Sequence, residues 1–534
     1  MPKPKVSFKF GNNNLGILAA ATSGTMGLVA AIPVANTSGF GVPVLIKTKA
    51  QAKAELGNAQ NATILAAITE AFFGETSEGS PLYCVFISNA STLTNGADIN
   101  NSYVSDMQTL ANKNVRAMGF VRQPVSDYVP VVVYGFDKDV HSAVIKAQAQ
   151  ADFWKTKNKV LECIVEGRSA TIPAEGLDYS TKNYPNVHIV IGSENGSSAY
   201  SVLRALGKKA ANAIHRNIGR VRSGSLNIAA DAAVSLGVTT TSVATPETKA
   251  SATITITGLG TDSNNIQGWG QDAFGYLTEI FDYSKVSGDD TAPKIATAIN
   301  ALINTSTATT GYSSTVAGAV VTVHPPAGMG STLNGINVFV VRDPAGPTFT
   351  QTAFSGGVDA INNVVAATPE SFSDTDLDTW NDKRYIFYTV NEDPTSPGYI
   401  FSDDISLVNE TSDYGTWSNN AVIGEAARIS YATCYKLLKD DVDVDDNGRM
   451  GAAVETNIQQ LIEDDITKQI GGSISAVSAL FNPDTAEFAA LYANANISTP
   501  NLNLLQTGGN VYVFVTVRPK GYAKNILVVL GFGL

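Results

Sequence analysis

Apolar residues fall along the chain in two rhythms, and the alternation between them outlines the architecture. Val129–Tyr134 (VPVVVY) is short, continuous and β-branched, the pattern of a buried strand. From Gly135 the spacing lengthens. Val140, Val144, Ala147, Ala151 and Trp154 recur every three or four residues, so they share one face of a helix that runs to about Lys155. Apolar runs at Val160–Val165 and Val187–Ile191 follow, then a helix near Ala199–Ile214. Strand, helix, strand, strand, helix at these lengths predicts an α/β layer with right-handed crossovers. The pattern returns late in the chain, with a strand at Arg384–Val390 and helices at Ala421–Leu438 and Ala452–Ile470. The second of these helices places Val454, Ile458, Leu461, Ile462, Ile466 and Ile470 on one stripe.

Between the two blocks the rhythm shortens. From about Thr239 to Gly357 the chain is rich in Thr, Ser, Gly and Ala. Strand-like runs occur at Ala252–Thr257, Ala319–His324 and Asn337–Val341, with one helix near Ala292–Ile303. This reads as a β-rich domain inserted into a loop of the α/β core, since loop-closure entropy grows only slowly with length. Near the C-terminus come two intensely β-prone runs, Val511–Arg518 (VYVFVTVR) and Asn525–Phe532 (NILVVLGF). In the first, Val511, Val513, Val515 and Val517 share one face and Tyr512, Phe514 and Thr516 the other. An apolar terminal strand needs a partner. Its own domain or a neighbouring subunit, joined by β-augmentation, would serve. The expected fold class is α/β (α+β), multi-domain, with an α/β core, a β-rich inserted domain and extended strand-forming terminal arms. The expected divisions are an N-terminal arm over 1–20, a discontinuous core over 21–238 with 358–507, the insert over 239–357 and a C-terminal strand arm over 508–534.

Composition narrows the functional classes. Charged residues make up 16% of the 534 positions, against about 25% in an average soluble protein. Forty-eight acids against thirty-six bases give a net charge of −12, which argues against a general binder of nucleic acid or anionic membrane. A weakly charged surface suits an assembly subunit covered by its neighbours. Three scattered cysteines (Cys84, Cys163, Cys434) and four scattered histidines (His141, His188, His215, His324) form neither a disulfide framework nor a zinc motif. Met1–Phe10 with Lys3, Lys5 and Lys9, followed by apolar Leu15–Ala21, faintly resembles a signal peptide. The apolar run is short and is introduced by Gly11-Asn12-Asn13-Asn14, so a soluble chain is expected.

Candidate chemistry is sparse. Asp443-Val444-Asp445-Asp446-Asn447-Gly448 has the acids and glycine of a calcium loop at positions 1, 3, 5 and 6, but position 12 is Val454. It reads as a solvated turn between helices, and Glu463-Asp464-Asp465 as a solvated helix face. No GxxxxGK[ST] loop is present, Gly258-Leu259-Gly260 lacks a third glycine, and Gly192-Ser193-Glu194-Asn195-Gly196 misplaces serine for a nucleophile elbow. His188 and His215 lack an acid partner at an obvious spacing. No catalytic, cofactor or metal residues are assigned, and an enzyme is not expected.

Segments late in the chain resemble the tail sheath proteins of contractile bacteriophages and related contractile injection systems. They are Tyr385-Ile386-Phe387-Tyr388 after Asp376–Lys383, Gly398–Asp404, the helix AVIGEAARISYATCYKLLKD at Ala421–Asp440, and Val517–Ile526. The similarity spans about Ser371–Leu534 and departs from the common pattern at Gly424-Glu425, where a basic residue often stands. It implies subunits stacked as rings or a helix around a tail tube, with N- and C-terminal arms completing sheets in neighbours. It further implies contraction that drives the tube through a target envelope without nucleotide. The implied partners are the chain itself, a tail tube protein, and baseplate and tail terminator proteins. Neither direct nucleic-acid contact nor membrane insertion is implied, and the location is a virion tail assembled in the host bacterial cytoplasm. The arm positions expected to carry assembly are Val511, Val513, Val515, Val517, Ile526, Val528 and Leu530, with Lys3, Lys5, Val6, Phe8 and Phe10 at the other end. The alternatives are a tube or baseplate subunit, or a glycan-binding surface protein for which Trp269 and Asp272 are the insert's candidates.

Overall fold

The computed structural model describes residues 25–126, 128–168, 173–245, 247–271, 277–358, 361–438, 441–481, 501–506 and 509–521, the side chains of 237–245 and 361–367 excepted. The core sheet begins with strands β1 (Met26–Ile32), β2 (Pro43–Ile46), β3 (Leu82–Ser88), β4 (Ala117–Arg122), β5 (Glu162–Gly167) and β6 (Val187–Ile191). Helices α1 (Lys49–Leu56), α2 (Tyr103–Leu110), α3 (Lys138–Thr156) and α4 (Ala199–Ala211) lie between or after them. Strand β1 (MGLVAAI) is buried at all seven positions and pairs in parallel with both β3 and β4. Both faces of the sheet are covered. A Cβ on Gly27 would lie 2.8 Å from Met107 of α2, and one on the neighbouring-strand Gly119 2.8 Å from Val202 and Leu206 of α4. Gly27 aligns with Met118 and Leu28 with Gly119, so pleating sends the two glycines to opposite faces. Such double cover is what a parallel sheet requires.

The α3 stripe expected from spacing is buried at all five positions. The expected buried strand at Val129–Tyr134 is not found. Val129 is 81% exposed, and the segment supplies only a two-residue strand, Val132–Val133, paired with Phe136–Asp137. Positive φ at Tyr134 (48°) and Gly135 (75°) makes this a tight two-residue hairpin. Its valines run along a surface loop, and only Val133 is buried.

After α4 the chain leaves the core on β7 (Gly237–Thr245). The insert follows: β8 (Ala252–Gly258), β9 (Asn265–Gln271), β10 (Leu277–Ser284), α5 (Ala292–Thr305), β11 (Ser313–Ala317), β12 (Val320–His324), β13 (Phe339–Arg342) and β14 (Thr348–Gln351). These make a four-stranded sheet, β11-β12-β8-β14, and a three-stranded sheet, β10-β9-β13. Helix α5 contributes Ile295, Ile299 and Ile303 to a hydrophobic cluster distinct from that of the core. The chain returns on β15 (Ile361–Ala367), antiparallel to β7. A second link is the hairpin tip, since Val133 is fully buried in the insert's cluster.

Helix α6 (Asp374–Asp382), started by a Ser373–Asp376 capping box, precedes β16 (Ile386–Val390) and β17 (Tyr399–Phe401). They complete the core sheet in the order β2-β3-β1-β4-β5-β6-β16-β17, with β2 and β17 antiparallel at the edges. Helices α7 (Trp417–Lys436) and α8 (Ala452–Ile470) follow, then β18 (Ile474–Phe481) and β19 (Val513–Pro519). This is the α/β (α+β) class expected. Neither the first arm (1–20) nor Asn525–Leu534 falls within the described residues.

Candidate assembly surface

Strands β18 and β19 form an antiparallel ribbon, with Val517 opposite Val477, Val515 opposite Ala479 and Val513 opposite Phe481. Among the described residues this sheet has two strands. The alternation read from sequence sets its faces. Val513, Val515 and Val517 pack onto the cluster made by Ile458, Ile462, Ile466 and Ile470 of α8 with Val422, Ala426 and Ile429 of α7. Thr516 and Arg518 are exposed on the other face. Leu461 leaves the expected stripe and is 43% exposed. On α8 the Glu463 carboxylate accepts the Ala479 N–H at 2.8 Å, so a charged group stands at the backbone of β18, one way proteins blunt a sheet edge. Val511 precedes the strand and is 38% exposed. Ile526, Val528 and Leu530, and Lys3, Lys5, Val6, Phe8 and Phe10, lie outside the described residues. The structure therefore brings three of the twelve expected assembly positions together, on the subunit's own helices.

The helices that carry the ribbon are locked to the core. Gly424 lets α7 approach the start of β5, where a Cβ would sit 2.9 Å from the Val160 Cβ. Beside it Glu425 makes a two-pronged pair with Arg116, at 2.6 and 2.8 Å. Arg428 donates to the carbonyls of Lys113, Val115 and Val160, and burial pulls its pKa down to about 10. The Gly424-Glu425 departure noted in the sequence thus has a local reason, a close helix–strand approach and a cation to pair with.

Spatial partners that spacing did not reveal sit beneath α7. His188 Nε2 lies 3.0 Å from Glu162, and its Nδ1 donates to the Ile405 carbonyl. The two residues occupy neighbouring strands β5 and β6, 26 positions apart. Lys209 of α4 lies 3.7 Å from Asp404 and donates to Ser418, which in turn donates to Asp404. Burial pushes the Lys209 pKa down to about 8 and the Asp404 pKa up to about 6. The cavity beside Glu162 is about 20 Å³, room for one water molecule. These groups hold elements together from inside. A larger cavity of about 300 Å³ lies where Tyr134, His141, Tyr179 and Tyr184 of the core meet Thr310, Tyr312 and Pro326 of the insert.

Two further sequence candidates have clear places. Asp443–Met450 is a small hairpin with a Val444–Met450 bridge. The Asp445 carboxylate accepts the N–H groups of Asn447 and Arg449, and Gly448 takes φ 74°. In the insert, Ile266, Gly268 and Gly270 face inward, leaving Gln267 and Trp269 outward. Trp269 stands opposite Phe339 on β13 and Glu279 on β10. The Trp269 and Phe339 ring centroids are 5.7 Å apart, and Phe339 is 51% exposed. Asp272 lies outside the described residues.

Residues 3–250 match the family model described as "DUF2586, N-terminal domain". No curated protein matches the chain. Among solved structures, the chain is similar to the contracted helical sheath of the anti-feeding prophage, a cryo-EM structure. The TM-score is 0.42 and the identity 8%, over 99% of each chain.

Proposed function

We propose that this chain is a structural subunit of a contractile tail sheath, polymerising around a tail tube and contracting to drive it through a target cell envelope. Its partners on this reading are further copies of itself, the tube protein, and baseplate and terminator proteins of a virion tail. The observation that carries the reading is the C-terminal sheet. It has two strands among the described residues, its valine face is committed to α7 and α8, and an apolar run able to extend it follows at Asn525–Phe532. Packing against a helix is enough for a two-stranded ribbon to stand, so a further strand would add at its edge and leave the subunit's own packing unchanged. Strand addition joins chains through backbone ladders, and a head-to-tail contact that does not close grows into a helix. The sequence resemblance over Ser371–Leu534 supports the same reading. The proposed arms are 1–20 and 508–534, flanking a core of 21–238 with 358–507 that displays the 239–357 insert. An extended sheath would then be held by a kinetic barrier and contract by rigid-body repacking about its arms.

Proline tests this, because it removes a ladder donor. Val528→Pro, or deletion of Asn525–Leu534, should leave a soluble monomer with native circular dichroism that no longer forms the tubes of the wild type in negative stain. Unfolding of that monomer would assign the strand to its own subunit's core, and unchanged tubes would remove arm exchange. A wild type that makes no tubes at any concentration or salt would sink the sheath reading itself.

A second reading concerns the insert, where half-buried Trp269 and exposed Phe339, beside Glu279 and Gln267, favour a glycan-binding face. Neutral oligosaccharides should then shift Trp269 fluorescence saturably. Absence of any shift, or one retained in Trp269→Ala, would discard it.

A further inference from the structure

Just beyond α4, cations gather at the surface, while the acid this segment touches, Asp403, is buried and accepts from the Asn217 amide. Arg216, Arg222 and Lys520 are exposed and Arg220 is half-buried. Among the described residues no carboxylate forms an ion pair with any of the four. They are close enough to act on one another. Burial depresses the Arg220 pKa, and Arg216 and Arg222 depress it further. His215, within the same turn of chain, is held down to about 4, by burial first and then by Lys520, Arg216, Lys209 and Arg220. Val221, 47% exposed, stands among the arginines. In a chain of net charge −12, positive charge left without an ion pair among the described residues is suited to an anionic surface.

The same fold holds a complementary surface at a fixed distance. The patch sits at the C-terminal end of α8, where His215 Nδ1 is 3.1 Å from the Ser473 hydroxyl and the Lys520 N–H donates to the Ser473 carbonyl. At the N-terminal end the acidic hairpin is tied down by Gly451 N–H donating to Asp443 carbonyl. Asp443, Asp445 and Asp446 are exposed there. The 19 residues of α8 span about 28 Å, several times the roughly 8 Å screening length of physiological salt. The two charged ends therefore do not neutralise each other within one subunit. Nor does the helix dipole account for them, since it amounts to about half a charge at each end.

We propose that the basic patch of Arg216, Arg220, Arg222 and Lys520 is an interaction surface that receives the acidic hairpin Asp443–Asp446 of a second copy of this chain. The proposal deepens the assembly reading and rests on it, since it sets the order in which copies stack. Because the two surfaces lie at opposite ends of one helix, each copy uses its hairpin on one neighbour and its patch on the other. That is a heterologous contact, which propagates. Charges in such a contact govern register and encounter more than affinity, so strand exchange and charge pairing supply different things to the same joint.

Two full-length variants test it, Asp443→Lys/Asp446→Lys and Arg216→Glu/Arg220→Glu. Asp445 is left in place because it caps the turn. Each variant alone loses the opposition of charge at every junction and should stay in the supernatant on sedimentation, with circular dichroism unchanged. Mixed one to one they should copolymerise, because in an alternating stack the introduced lysines meet the introduced glutamates and every other junction keeps the native pairing. Wild-type polymer should also be lost as sodium chloride is raised. The proposal is overturned if either variant alone pellets like the wild type, which leaves the sheath reading intact. It is overturned as well if two folded variants fail to recover on mixing. Should the wild type itself not polymerise, the assembly reading fails, and low-salt sedimentation equilibrium decides the contact: mixed variants must associate more strongly than either alone.

Discussion

Acidification should loosen the seat of the insert through a single histidine. His141 on α3 places Nε2 3.0 Å from the Val133 carbonyl and Nδ1 2.7 Å from the Tyr179 hydroxyl. A carbonyl only accepts, so Nε2 carries the hydrogen and Nδ1 accepts from Tyr179. Burial of the ring holds its pKa down to about 4, against an ordinary 6.5. Well above pH 6.5 the imidazole is neutral folded or unfolded, and its contribution is complete. As pH falls, the unfolded chain binds a proton that the folded site refuses, so stability is lost until about pH 4, where the folded site protonates too. Linkage puts the loss at about 1.4 kcal/mol at pH 5.5 and about 3 kcal/mol at pH 4. Because Val133 is buried in the insert's cluster, the loss should concentrate on the junction between insert and core. Urea unfolding of the full chain at pH 7, 5.5 and 4 measures it against His141→Gln, whose side chain donates to Val133 without titrating. The wild type should lose about 3 kcal/mol more than the variant between pH 7 and 4. Parallel losses in the two proteins would show that the depressed titration of His141 does not govern this junction.

Lys209→Met leaves Asp404 buried without its cation and should cost about 3–5 kcal/mol, with Asp404→Leu in the same chain recovering most of it; equal melting temperatures for single variant and wild type would refute the pairing. Gly424→Val drives a side chain against Val160 and should destabilise by about 1–3 kcal/mol, read by chemical denaturation; no loss would mean α7 does not sit as close as described. Replacing Ala250–Ser355 with a short Gly/Ser linker should leave a folded remainder that still forms tubes, weakened by the about 1.5–3 kcal/mol of Val133's lost burial. An unfolded remainder would show that the insert belongs to the core. Calcium should leave the melting temperature unchanged, because the Asp445 carboxylate already serves two backbone N–H groups; a shift that chelator reverses and Asp443→Ala removes would overturn this.

Local periodicity was enough to place α3, α5 and α8 and the strands at Val187–Ile191 and Ala252–Gly258, because a helix or strand writes its own repeat of 3.6 or 2 into the chain. The composition change around Thr239–Gly357 likewise marked a segment that builds its own cluster. Neither signal marked β1, since a strand buried on both faces has no alternation to read. Tertiary structure alone decided which elements meet. Val129–Tyr134 has the composition of a core strand but is turned at Tyr134-Gly135 into a hairpin that offers one valine to the insert. His188 and Glu162, and Lys209 and Asp404, find each other across strand order and across 195 residues of chain. Spacing along a sequence constrains neighbours only within a few turns, whereas ion pairs, close glycine contacts and opposed charged ends are products of how layers stack.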